Sequence, residues 1–141
     1  MAGIKRTPAD IAFSLCVRER AGWTCERCGS HFPEGRRGGL DCSHHHGRGS
    51  WSIRFEPLNA EALCYGCHSH AGGTEERRRE VLTDEEQALL FELKEDVLRG
   101  KEYRKTKGVG EVAKHYRAEL ARMQAMRRAG YQGRIEFRGW I

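Results

Sequence analysis

Nothing in these 141 residues approaches the roughly 20 consecutive apolar positions that a membrane-spanning helix needs, and charged residues make up 32% of the chain. A membrane protein is not expected. The first residues, Met1-Ala2-Gly3-Ile4-Lys5-Arg6, lack the apolar stretch of a secretory signal. The chain is therefore expected in a reducing cytoplasm. No internal repeat and no low-complexity tract is present, which argues against a solenoid or a disordered linker. Aromatic residues are few at 9%, and hydrophobic residues reach 38%. That supply suits one domain with a modest core and appended helices better than two full domains.

Against those shortages stand six cysteines and seven histidines. In a reducing compartment, cysteines at short regular spacing point to metal rather than disulfides. Four form two Cys-x-x-Cys pairs, Cys25/Cys28 and Cys64/Cys67. Each pair offers two thiolates from one tight turn, and two such turns close a tetrahedron around a structural Zn²⁺. Whether His31 or His68 replaces one thiolate is open at this point. The interval between the pairs is 35 residues, longer than a zinc ribbon uses, so a folded insertion is expected there. Cys16 sits in a helical pattern and reads as a small buried apolar residue. Cys42 belongs to neither group.

Charge is uneven. The formal net charge is +5, and residues 100–141 carry 11 Lys and Arg against 4 Asp and Glu. A basic C-terminal third suits a polyanionic partner, with nucleic acid the first candidate, or a solvated helix surface.

Along the chain, Thr7-Pro8-Ala9-Asp10 is a capping box, and the spacing predicts a helix to about Gly22. Residues 29–39 read as a Gly-rich loop. Leu40–His44 reads as a short strand, Gly47–Ser50 as a turn, and Trp51, Ile53 and Phe55 alternate with polar residues as a half-buried strand does. Ala60–Ala71 reads as a helix, and 74–81 as a charged connector whose Arg77-Arg78-Arg79 run is a solvated flank. Thr83 and Glu86 form a second capping box before a stripe of Leu89, Leu90, Leu93 and Leu98. Lys101–Gly110 reads as a basic connector, Val112–Ala129 as a third long helix, and Tyr131–Ile141 as a terminal strand or arm. His44-His45-His46 closes the first strand. Alternation along a strand puts His44 and His46 on one face and His45 on the other. One imidazole can act as a general base near neutrality, and another can bind a cation.

The set Cys42-Ser43-His44, then Asn59, then Leu63-Cys64-Tyr65-Gly66-Cys67-His68 resembles the HNH, or ββα-metal, nucleases that carry paired zinc-binding Cys-x-x-Cys motifs. The likeness runs from roughly Trp23 to Ala71. The run His44–Arg48, followed by Arg54-Phe55 and Asn59, is also similar to the phage NinG/Rap recombination nucleases. The resemblance implies an α+β fold, with a small ββα-metal core stapled by a four-cysteine zinc site and flanked by N- and C-terminal helices. Its segments are 1–22 (helix), 23–73 (nuclease core) and 74–141 (a helical, basic extension, either part of the same unit or a DNA-binding arm). It implies His44 as the general base that activates water for attack on a DNA phosphodiester. Asn59 would fix the loop between strands and helix, and His68 would be a ligand of a catalytic cation that stabilises the leaving 3′ oxygen. That cation is Mg²⁺, Mn²⁺, Ni²⁺ or Zn²⁺, since a histidine site discriminates weakly among them. Arg48 and Arg54 suit phosphate by guanidinium geometry.

One position departs from the family pattern. Many members carry Asp or His directly before the base, and here Ser43 precedes His44. Two assignments stay open: His44 as cation ligand with His45 as base, or His44 as base with Asp41 or Cys42 assisting metal or orientation. The expected function is a metal-dependent DNA endonuclease, phage-encoded or mobile, nicking or cutting both strands of DNA that includes branched forms. Its location would be the cytoplasm of a bacterial host. The alternative is a non-catalytic zinc module that binds DNA. A thiol redox protein fits poorly, because two pairs flanking this core do not make a thioredoxin-type site. Oligomeric state is not readable.

Overall fold

The computed structural model describes residues 5–35, 38–106 and 110–141. Helix α1 (Pro8–Arg20) begins on the expected capping box. Thr7 Oγ1 accepts from the Asp10 N–H at 3.2 Å, and the Thr7 N–H donates to Asp10 Oδ2 at 2.7 Å. Its inner face presents Ala9, Ala12, Phe13, Cys16 and Val17, all buried. Gly22, at φ +62°, turns the chain out of the helix.

Strands β1 (Leu40–His44) and β2 (Ala60–Cys64) pair antiparallel, with Cys42 opposite Ala62 and His44 opposite Ala60. Helix α2 (Tyr65–Ala71) follows β2 directly, with Cys64 as its N-cap. The order strand, strand, helix is the expected one, but the second strand lies elsewhere. Trp51–Ile53 is a single 3-10 turn, and Phe55 follows it in non-strand backbone. Ser52 and Arg54 are buried there along with Ile53 and Phe55, so the alternation marks no half-buried strand but part of an excursion that leaves the sheet after His44 and returns at Ala60. Conversely, Ala60–Cys64, read as the start of a helix, is the strand. Its Ala, Glu and Leu favour helix, but Ala60 to Leu63 are all buried against the core and pair with β1, and tertiary context overrides such preferences.

Helices α3 (Glu75–Val81), α4 (Asp84–Glu95), α5 (Val97–Thr106) and α6 (Glu111–Arg128) complete the six found among the described residues. Together with the two-stranded sheet they make an α+β fold. Two expected connectors are helices. Thr74 caps α3 by accepting from the Arg77 N–H, and α5 covers most of the expected connector from Lys101, whose residues 107–109 lie outside the described ones. The capping box at Thr83 forms as expected. The leucine stripe is mostly surface: Leu90 is buried, while Leu89 and Leu98 are 47% and 77% exposed. The C-terminal residues 131–141 form no strand. They run along the body and bury Ile135 and Phe137. One core joins Phe13 of α1, Phe55, Tyr103 of α5, Tyr116 of α6 and Phe137. Phe13 and Tyr116 meet edge to face at 5.2 Å between centroids. No described helix is long and apolar enough to cross a membrane.

Candidate functional site

The four paired cysteines converge. Gly29, at φ +78°, closes the first knuckle, and its N–H donates to the Cys25 carbonyl at 3.0 Å. The Cys28 and Cys67 N–H groups each point at the sulfur three residues earlier, at 3.5 Å. All four Sγ atoms lie within 4.8 Å of one another, and Cys28 and Cys64 are 3.9 Å apart. Sulfurs on a tetrahedron with bonds of ~2.3 Å sit about 3.8 Å apart, so this donor set fits a tetrahedral, thiophilic cation such as zinc. Hydrogen bonding with Ser30 pulls the Cys28 thiol down, whereas at Cys64, against the pull of the Cys67 N–H, burial and the neighbouring sulfurs push the thiol up, so the fit to a metal rests on the sulfur geometry. Neither His31 nor His68 replaces a thiolate here. His31 Nδ1 sits 3.4 Å from Thr24 Oγ1. Burial pushes Cys16 and Cys42 up to about 12, and Cys16 donates to the Tyr116 carbonyl.

The knuckle is tied to the sheet by Glu26. Its N–H donates to the Ala62 carbonyl at 2.8 Å, and its Oε2 accepts from the Ala62 N–H at 2.7 Å. Arg77, from the expected solvated run, is 5% exposed. It pairs with the carboxylate of Glu61 in β2 and donates to the Glu26 carbonyl.

His44 and His45 line different clefts. His44 lies at the end of β1 with its ring 5.8 Å from Phe13. Its Nε2 is 3.1 Å from the carbonyl oxygen of Arg54. A carbonyl only accepts, so Nε2 carries the proton and Nδ1 keeps a lone pair. Burial brings its pKa down to about 4, against the opposing pull of that carbonyl. His45 points away from His44, is 3% exposed, and lines a different cleft beside Glu61 and Arg77. Burial, aided by the Arg78 charge, brings it to about 4 as well.

Asn59 is completely buried and braces the excursion between the strands. Its Oδ1 accepts from the His46 N–H at 2.9 Å, and its Nδ2 donates to the carbonyls of His46 at 2.9 Å and Ile53 at 3.0 Å. His68, on α2, holds Asp41 Oδ2 through Nδ1 at 3.1 Å. Gly72 keeps that ring in place by its smallness: a Cβ there would lie 2.4 Å from His68 Cδ2 and 2.9 Å from Ser43 Oγ.

His44, His68, Asp10, Cys42, Arg6 and Arg48 line one cleft of about 240 Å³. A scan of protein-family profiles and searches of curated proteins and solved structures found no match to this chain. The cleft therefore has to be read from its own groups. It holds a histidine whose Nε2 is bound to a backbone carbonyl, a second histidine oriented by a carboxylate, and two arginines. Arg54 is not among them. It is 2% exposed, and its Nε and Nη2 grip both oxygens of Asp10 at 3.0 and 2.7 Å. It is thus placed inside the protein rather than at a phosphate. The sequence marks Asp10 only as a capping residue. Nothing in its local pattern signals a partner 44 positions away.

Proposed function

We propose that the chain is a metal-dependent endonuclease of the HNH type that hydrolyses DNA phosphodiester bonds, with a structural zinc on Cys25, Cys28, Cys64 and Cys67. One observation carries the reading. The β1–β2–α2 unit brings His44 and His68 into a single cleft while buried Asn59 braces the chain between them.

In this reading His44 is the general base, and the choice between His44 and His45 goes to His44. Its lone pair on Nδ1 is available because Nε2 is occupied by the Arg54 carbonyl, and it borders the cleft with His68. His45 lines another cleft. His44 takes a proton from water at Nδ1 as that water attacks phosphorus. Asp41 accepts from His68 Nδ1, which leaves His68 Nε2 as the nitrogen for a cation, the usual division of labour between a ligand and the carboxylate behind it. A divalent cation held there (Mg²⁺, Mn²⁺, Ni²⁺ or Zn²⁺) supplies charge stabilisation for the leaving 3′ oxygen. Arg48 and Arg6, at the same cleft, hold the phosphate oxygens.

The test is cleavage of supercoiled plasmid and of branched oligonucleotides by the parent and by His44→Ala, with EDTA or with each cation. Metal-dependent cutting by the parent, reduced about 100-fold or more in the variant, is the expected result. Equal cutting by the variant would remove His44 as the base. Tight DNA binding with no cutting under any cation would favour a zinc-containing DNA-binding module instead.

A further inference from the structure

Three consecutive carbonyls in the excursion between the strands each receive a side chain from a different part of the chain. The Ile53 carbonyl accepts from Asn59, the Arg54 carbonyl from His44, and the Phe55 carbonyl from the hydroxyl of Tyr116 on α6. The middle one determines which nitrogen of His44 is bare. Its backbone is the end of a 3-10 turn whose closing hydrogen bond, from the Arg54 N–H to the Trp51 carbonyl, is long at 3.4 Å. That turn alone is a weak support.

The Arg54 side chain is held far more firmly. It makes a bidentate pair with Asp10, donates to the Lys5 carbonyl at 3.0 Å, and lies over the Trp51 ring at 4.3 Å. Asp10 is in turn fixed by the α1 cap, through the Thr7 N–H and hydroxyl. A buried ion pair is a poor way to gain stability, since apolar side chains of the same volume serve as well or better. A planar, two-bond grip does something apolar packing does not: it fixes a direction.

We infer that Asp10 and Arg54 are positioning residues for the base: they anchor the segment whose carbonyl orients His44 to helix α1, which lies outside the strand–strand–helix unit. The inference rests on the reading of His44 as base. It assigns Arg54 to geometry rather than to phosphate binding, and it makes α1 part of the machinery rather than a cover for the core.

The experiment uses the full metal-loaded chain and four proteins: parent, Asp10→Asn, Arg54→Lys and Thr83→Val. Long-range proton–nitrogen spectra report which ring nitrogen of His44 is protonated, and plasmid cleavage gives kcat and KM. The parent is expected to show a single form protonated at Nε2. Asp10→Asn and Arg54→Lys are expected to show averaging over both forms, with kcat lowered roughly 10- to 100-fold and KM unchanged. Thr83→Val, which removes the side-chain cap of α4 and touches neither Asp10 nor Arg54, is expected to melt earlier while keeping the parent's tautomer and kcat. Retention of the single tautomer in both Asp10→Asn and Arg54→Lys would overturn the proposal. So would a raised KM at constant kcat, which would put Arg54 on the substrate. Loss of the folded state in both variants would also overturn it, by making the pair a requirement of folding. Should the parent cut no DNA, the nuclease reading falls, and the tautomer comparison still decides the clamp.

Discussion

Asn59 is the residue whose consequences are easiest to compute. It has no exposed surface and makes three hydrogen bonds to backbone groups, two at His46 and one at Ile53. Asn59→Ala leaves the buried Ile53 carbonyl and the part-buried His46 N–H and carbonyl without these partners. Each orphaned buried group costs about 1–3 kcal/mol, and partial relaxation keeps the total near ~3 kcal/mol. Urea unfolding monitored by tryptophan fluorescence should show the loss as a lower midpoint. A change below about 0.5 kcal/mol, typical of surface substitutions, would contradict the brace. Asn59 is legible only through the resemblance, which implies an Asn that fixes the loop between strands and helix; spacing alone does not mark it. The place of Arg54 is not legible. An arginine at a polar position of an alternating segment looks like a surface cation, and only the fold brings Asp10 to it.

At the scale of elements, the cysteine knuckles are what the sequence shows best, and the strands are what it shows least. Cys-x-x-Cys fixes its own geometry through short-range N–H to sulfur contacts, so spacing suffices to read it. Strand β2 depends on a partner that lies well back along the chain, from Leu40 opposite Cys64 to His44 opposite Ala60. Its own residues prefer helix, so its identity is settled by pairing with β1 and by burial. Trp51, Ile53 and Phe55 fail in the opposite sense. Ser52 and Arg54 between them are buried as well, so the alternation in sequence is not an alternation of faces, and turn and strand cannot be told apart over so few residues. The knuckle and the sheet are coupled through Glu26, which bonds to Ala62 through both its backbone and its side chain. Removing the metal should therefore loosen more than the knuckles. With a strong chelator, four like-charged thiolates no longer share a cation, and Cys64 no longer anchors the start of α2. The expected outcome is loss of about one zinc per chain, with protease cleavage appearing first in residues 23–35 and 64–73. Fragments mapped by mass spectrometry check this. Unchanged protection across both stretches would mean the sheet holds them without the metal.

For the molecule as a whole, α1 packs over both strands while α4 and α5 pack on the Trp51–Ile53 turn, so the flanking helices wrap the central unit. Helix α1 packs on α6, and the Tyr116 hydroxyl reaches the Phe55 carbonyl while accepting from the Trp140 N–H. Ile135 and Phe137 close the core from the far end. That wrapping buries charge. Asp10 and Arg54 are both nearly inaccessible, and their pairing has a definite consequence for acid stability. Burial alone would raise the Asp10 pKa. The Arg54 hydrogen bond, the Thr7 N–H and hydroxyl, and the Arg54 charge together outweigh burial and hold it below the ordinary carboxylate value. A carboxyl whose folded pKa lies below its unfolded pKa of about 3.9 adds stability that is complete above that value. The contribution disappears as pH falls through the folded pKa, because the native state must then take up a proton it resists. Asp10→Asn has no such proton to take up. The parent should therefore be the more stable protein at about pH 7, and the gap between the two should narrow as pH drops from about 5 toward about 2. Urea midpoints measured in parallel across that range isolate the effect, since cysteine protonation and loss of the metal act on both proteins alike. A gap that stays constant with pH would show that Asp10 contributes through its shape and capping bonds, with its charge balanced equally in the folded and unfolded chain.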